Sequence, residues 1–231
     1  MMKEMNDEHR RLMKVLGQHV EGLRAIGVTT VPRRRSDGGT SSTSKARRLA
    51  RLAREVEACE RCPLHKTRTK SVFGDGSPDA RLVFVGEAPG RDEDLQGKPF
   101  VGAAGRLLNK MIEAMGMKRE EVYICNVVKN RPPGNRVPQP DEIEACLPFL
   151  QEQFAIIQPK VICTLGAVAT RALLGPHVSI MKIRGQLRSY NDIMLIPTYH
   201  PAYLLRNPDA KRDAWEDLKK VKKLLETGDI G

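Results

Sequence analysis

The sequence predicts an α/β protein, and three observations carry that expectation. An apolar, β-branched-rich run, Leu82-Val83-Phe84-Val85, stops abruptly at Gly86-Glu87-Ala88-Pro89-Gly90, which reads as a buried parallel strand entering a tight loop. A second apolar run, Ile193-Met194-Leu195-Ile196-Pro197, ends close to His200-Pro201. From residue 46 onward, helical and strand patterns alternate, as in a layered α/β domain. Open parallel sheets bind ligands at the carboxyl ends of their strands. Glu87 and His200 are therefore expected to face one pocket.

The elements follow in order. Leu12, Leu16, Val20 and Leu23 recur at helical spacing, so an amphipathic helix is expected over residues 4–26. The stretch from Pro32 to Ser44 has nothing apolar to bury and reads as a flexible linker. This divides the chain into an N-terminal extension, residues 1–45, and a domain, residues 46–231. Within the domain, helices are expected near 47–58, 103–116, 141–157, 167–174 and 210–225. Strands are expected near 81–86, 121–128, 160–165 and 193–198, with a hairpin or irregular pair over 179–192 around Gly185. The pattern contains no internal repeat.

Charge narrows the partner. The net charge is +11, and residues 1–54 hold 13 of the 39 Lys+Arg against 5 of the 28 Asp+Glu, a net of +8. A basic chain suits a polyanion, and a solvated basic tail is the plainer alternative for the extension, which leaves a DNA or protein contact by that segment open. No apolar run approaches a membrane span and no signal-peptide pattern stands at the polar N-terminus, so no membrane is expected and the cytoplasm is the expected compartment.

The loop after the first strand lacks both a Gly-x-Gly-x-x-Gly fingerprint and a Gly-Lys-Ser/Thr sequence. Asp92, Glu93 and Asp94 follow it and would repel a pyrophosphate, so a nucleotide cofactor is not expected. Pro89 restricts Ala88, which suits either a rigid wall around a small flat ligand or an ordinary strand-to-helix turn. Phe100 stands among Pro99, Val101 and Gly102 in a chain only 4% aromatic. It is read either as core filler or as a face on which a base stacks. Asn126 lies in an apolar strand, where a buried amide needs partners. It could hold a neighbouring loop or read the edge of a pyrimidine. Lys129, Arg131 and Arg136 flank two prolines in a stiff basic loop suited to phosphates.

Taken in order, Gly86-Glu87-Ala88-Pro89-Gly90, Pro99-Phe100-Val101-Gly102, Asn126 before Arg131-Pro132-Pro133, and His200-Pro201-Ala202 resemble the family 4 uracil-DNA glycosylases, the iron–sulfur branch of their superfamily. The resemblance covers roughly residues 50–225. It implies a three-layer α/β/α domain around a central parallel four-stranded sheet. It also implies a monofunctional glycosylase that hydrolyses the N-glycosidic bond of uracil in DNA and so initiates base excision repair, with uracil-containing DNA as partner and a monomer as the working unit. Glu87 and Ala88 would contact the base or the attacking water, Phe100 would stack on uracil, and Asn126 would bond its edge. His200 would donate to the uracil O2 and stabilise the negative charge on the leaving base. The target must flip out of the duplex. Leu204 and Arg206, after His200, would then touch DNA, with an apolar tip wedged into the gap or a helix packed on the core as alternatives. No dedicated Lys nucleophile is present, so lyase chemistry is not expected.

The cysteines depart from the family pattern. Cys59-x-x-Cys62-Pro63 and Cys146 match three ligands of the family's 4Fe-4S cluster, and Asn130 occupies the third of its four Cys positions. Cys125, five residues earlier, would lie about 16 Å away on the opposite strand face. Cys163 reads as a core thiol. An iron–sulfur cluster with incomplete thiolate ligation, a three-iron species, or no cluster are the outcomes left open. A relative preferring another deaminated base, or a non-catalytic iron–sulfur DNA-binding or redox module, are the rival functions. A covalent subgroup is disfavoured because residues 131–136 contain no His.

Overall fold

The structure, a computed structural model, describes residues 42–229. The helix expected over residues 4–26 and most of the linker lie outside the described residues. The division expected at residue 45 falls in the first turn of α1 (Ser42–Glu57).

Six strands form one mixed sheet in the order β1-β3-β2-β4-β6-β5. Its centre is four parallel strands: β3 (Tyr123–Asn126), β2 (Leu82–Gly86), β4 (Val161–Leu165) and β6 (Ile193–Thr198). Two short antiparallel strands, β1 (Asp75–Gly76) and β5 (Arg188–Tyr190), close the edges. The four parallel strands are those expected from the sequence, because strands covered on both faces must be continuously apolar. Every residue of β2, β3 and β4 is buried. The edge strands carry only two and three residues, too few for a period to register. β5 and β6 meet through Asn191 and Asp192, both at positive φ (46° and 64°), a two-residue hairpin turn. The pair expected over 179–192 around Gly185 is instead the short helix α6 (Ile180–Ile183) followed by β5 alone, whose hairpin partner is β6 beyond that range.

Alternating side chains divide the core between the two faces. Leu82, Phe84, Ile124, Cys163 and Ile196 pack under α3 (Ala103–Ala114), α7 (Pro201–Arg206) and α8 (Ala210–Thr227). Val83, Val85, Cys125, Ile162 and Leu195 pack under α1, α4 (Pro140–Ile157) and α5 (Ala167–Leu174). The three layers are thus α/β/α. α2 (Arg91–Gln96) follows the loop leaving β2 and stops at Gly97, whose φ of 75° is left-handed. Among the described residues, no helix is long and apolar enough to cross a membrane.

Candidate active site

Three parallel strands deliver their following loops to the same end of the sheet. β2 ends in Gly86 and releases Glu87, Ala88, Pro89 and Gly90, β3 ends in Asn126, and β6 leads to His200. The first two exits stay laced together: Val127 N–H donates to Gly86 O (2.9 Å) and Val128 N–H to Glu87 O (3.2 Å). A cavity of about 440 Å³ opens there, lined by Glu87, Ala88, Phe100, Asn126 and His200 among others. The structure therefore brings together the residues that the sequence singled out for catalysis and base contact.

Phe100 is 6% exposed and its ring lies 5.5 Å from that of His200, tilted by 32°. Asn126 is 1% exposed, and its Oδ1 is buried without a hydrogen-bond partner. A buried acceptor without a donor costs about 1–3 kcal/mol, so this amide oxygen is open to an N–H donor placed in the cavity. Gly86 leaves it room. A Cβ there would stand 2.3 Å from Asn126 Oδ1 and 2.6 Å from the Phe100 ring.

His200 caps the N-terminus of α7, its Nδ1 accepting the Ala202 N–H at 3.1 Å. Burial, reinforced by the nearby Arg206 charge and opposed by Glu93, lowers its pKa from 6.5 to about 4. The ring is therefore neutral at pH 7. With Nδ1 accepting, the proton resides on Nε2, a neutral donor. Burial alone pushes the Glu87 carboxyl up.

Glu93 and Asn135 are among the lining residues to which the sequence assigned no role in the site. Glu93 Oε1 accepts the N–H groups of Val101 (2.9 Å) and Gly102 (3.0 Å), fixing the loop that carries Phe100. A carboxylate three residues past Gly90 at a helix start was the available signal. Asn135 lines the cavity at φ 58° with Oδ1 accepting from Arg131 Nε (2.6 Å). Its place in a Pro-Gly-Asn turn was the only hint.

The basic loop needs correction. Lys129 is fully buried: its Nζ donates to Asn126 O (2.8 Å) and Gln153 Oε1 (2.6 Å), so it cannot reach a phosphate. Arg136 lines the cavity with its fork on both oxygens of Glu142 (2.8 and 2.6 Å). Arg131 is half-buried, and Arg206 is exposed on the cavity rim. Leu204 is also corrected. It is 1% exposed in the core, the alternative of a packed helix, whereas Leu205 is 44% exposed.

The cysteines converge only partly. Cys59 and Cys62 follow α1 and Cys146 lies on α4, its Sγ accepting the Lys129 N–H at 3.2 Å. Burial first, and then the charges of Cys62 and Cys59, push the Cys146 thiol up. The third of the four expected Cys positions holds Asn130, whose Oδ1 accepts from Arg68 Nη1 (3.4 Å), a group that also donates to Cys59 O (3.1 Å). Among the described residues, no three His, Cys, Asp or Glu side chains stand close enough to hold a metal ion. The donor set supplies three thiolates and does not fit a cluster with four. Cys125 and Cys163 are buried in the sheet.

Comparison with known proteins agrees with this geometry. The model of the uracil DNA glycosylase superfamily matches residues 73–219. The chain is 47% identical over 190 residues to the type-4 uracil-DNA glycosylase of Sulfurisphaera tokodaii, covering 78% of this chain and 86% of that protein. It is 48% identical over 178 residues to the type-4 enzyme of Thermotoga maritima, covering 75% and 93%. A type-5 uracil-DNA glycosylase of Thermus thermophilus is 30% identical over 128 residues, 49% of this chain and 58% of that protein.

Proposed function

The chain belongs to the uracil DNA glycosylase superfamily, and we propose that it is a monofunctional uracil-DNA glycosylase that initiates base excision repair. The observation that carries this reading is the orphaned Oδ1 of Asn126 beside Phe100. A flipped uracil offers an N3–H to that oxygen and its O4 to the amide Nδ2. Cytosine presents a bare N3 instead, which would leave Asn126 Oδ1 facing another acceptor. That mismatch rejects the normal base at about 1–3 kcal/mol for the unmet group.

The remaining roles follow from the same pose. The Phe100 ring stacks on the base. His200 Nε2–H donates to the uracil O2, where negative charge collects as the bond from C1′ to N1 breaks. A neutral donor suits this task because it meets developing charge without first needing a proton from solvent. Uracil departs with the electron pair of the broken bond, water held by Glu87 in the loop of Gly86–Gly90 adds to C1′, and the proton that this water sheds ends on the departed uracil. Ala88 forms part of the cavity wall beside it. Arg131, Arg136 and Arg206 contact DNA phosphates, Arg136 after exchanging Glu142 for a phosphate. The protein acts on uracil-containing DNA as a monomer, and the basic segment of residues 1–45 adds contact to DNA.

We propose in addition an iron–sulfur cluster with incomplete thiolate ligation on Cys59, Cys62 and Cys146, which would have to draw closer together than they stand here to share it. No step of the hydrolysis needs it. Its part is to tie the segment after α1 to α4.

Incubation of the purified protein with uracil-containing oligonucleotides, followed by alkaline cleavage, tests the function. Strand breaks at uracil alone are expected, and their absence in wild-type protein would leave a non-catalytic DNA-binding module.

A further inference from the structure

Phe100 adopts a backbone conformation that an aromatic residue rarely accepts, with φ at 53°. Such a conformation persists only where surrounding groups over-determine it. Glu93 holds the N–H groups after Phe100, and a second charged side chain, Arg119, holds the carbonyls on the other side. Its Nη2 donates to Pro99 O (2.6 Å) and its Nη1 to Phe100 O (3.3 Å). The guanidinium is itself fixed by Asn109 Oδ1 on α3 (2.8 Å) and by Asp75 Oδ2 on β1 (3.9 Å). The Phe100 carbonyl also lies against Gly105 of α3, where a Cβ would come within 1.9 Å of its oxygen.

Arg119 does not line the cavity. It sits in the turn Arg119–Glu121 that enters β3, the strand whose other end carries Asn126. One guanidinium thus links the start of the base-reading strand to the loop that carries the stacking ring.

We propose that Arg119 is a positioning residue for base recognition, acting only through Phe100 by clamping the Pro99 and Phe100 carbonyls in the left-handed turn. This rests on the reading of Phe100 as the stacking face. Lysine cannot replace it fully, because a point donor cannot reach two successive carbonyls with a planar fork.

A double-mutant cycle tests this. Wild type, Arg119→Met, Phe100→Ala and the double variant are compared by single-turnover uracil excision and by inhibition with free uracil, each per folded molecule. Arg119→Met is expected to weaken uracil inhibition and slow excision by roughly tenfold, within the range of base–aromatic stacking. In the Phe100→Ala background it should add less than about twofold. Arg119→Lys should fall between wild type and Arg119→Met, and it carries the same cycle should Arg119→Met fail to fold. An equal loss in both backgrounds, or lowered thermal stability with unchanged uracil inhibition, overturns the role of Arg119. If Phe100→Ala itself changes neither readout, the stacking reading falls, and this inference with it.

Discussion

Gly86 and Asn126 are register partners at the carboxyl ends of neighbouring parallel strands, and the space above Gly86 is filled by the Asn126 amide oxygen and the Phe100 ring. The absence of one methyl group lets two recognition groups converge over a single backbone position. Gly86→Ala should therefore displace one of them. Overpacking of this kind costs about 1–3 kcal/mol, and we expect at least a tenfold fall in single-turnover excision with the fold retained by circular dichroism. Wild-type excision in this variant would show that the Asn126 and Phe100 placements are not both required.

Asn126→Ala should abolish most excision while leaving non-specific DNA affinity intact, since phosphates supply that affinity. His200→Ala should cost about 10²–10³ in rate, the range for a lost oxyanion donor. Gel-shift titration alongside single-turnover kinetics separates binding from chemistry. Either variant cutting at the wild-type rate would remove its residue from the mechanism.

The lowered pKa of His200 sets a definite pH behaviour. Above pH 6.5 the ring is neutral in the folded and unfolded chain, so it contributes nothing to the slope. Between 6.5 and about 4 the unfolded chain takes up a proton that the folded chain refuses. Stability should then fall as pH falls through that window, by up to about 3 kcal/mol. The His200 ring signal in NMR, assigned by its loss in His200→Ala, should stay flat from pH 8 to 5. Titration near 6.5 would show that His200 is not the neutral donor described.

Protein prepared without oxygen should be brown, contain iron and sulfide, and lose iron readily, because the Asn130 amide is a poor thiolate substitute. Asn130→Cys should slow the loss, followed by visible absorption and iron content. Colourless, iron-free, fully active protein would remove Cys59, Cys62 and Cys146 from any metal role.

Residues whose placement follows from local pattern were legible before the fold was known. The run Leu82–Val85 must be a strand, and its loop must open at the end of the sheet, so Glu87 and His200 were brought to one pocket on sequence alone. Contacts set by tertiary placement were not legible. Nothing in Lys129-Asn130-Arg131 says that the Lys129 side chain turns inward to Asn126 O and Gln153 while Arg131 stays at the margin. Leu204 and Leu205 are chemically alike, and only the rotation of α7 decides which of them is core. Arg119 reads as a surface charge until the carbonyls it holds are seen.

The pairing of Arg136 with Glu142 has a further consequence for how the protein meets a duplex. A free guanidinium that settles on a phosphate displaces a condensed counterion, and affinity then weakens steeply as salt rises. A guanidinium that must leave a carboxylate makes an exchange of partners and sets a bare Glu142 beside the polyanion. If Arg136 meets phosphate as proposed, tightening that contact would raise local repulsion, so this corner of the cavity would favour a loose, quickly reversed grip over a long hold on one site.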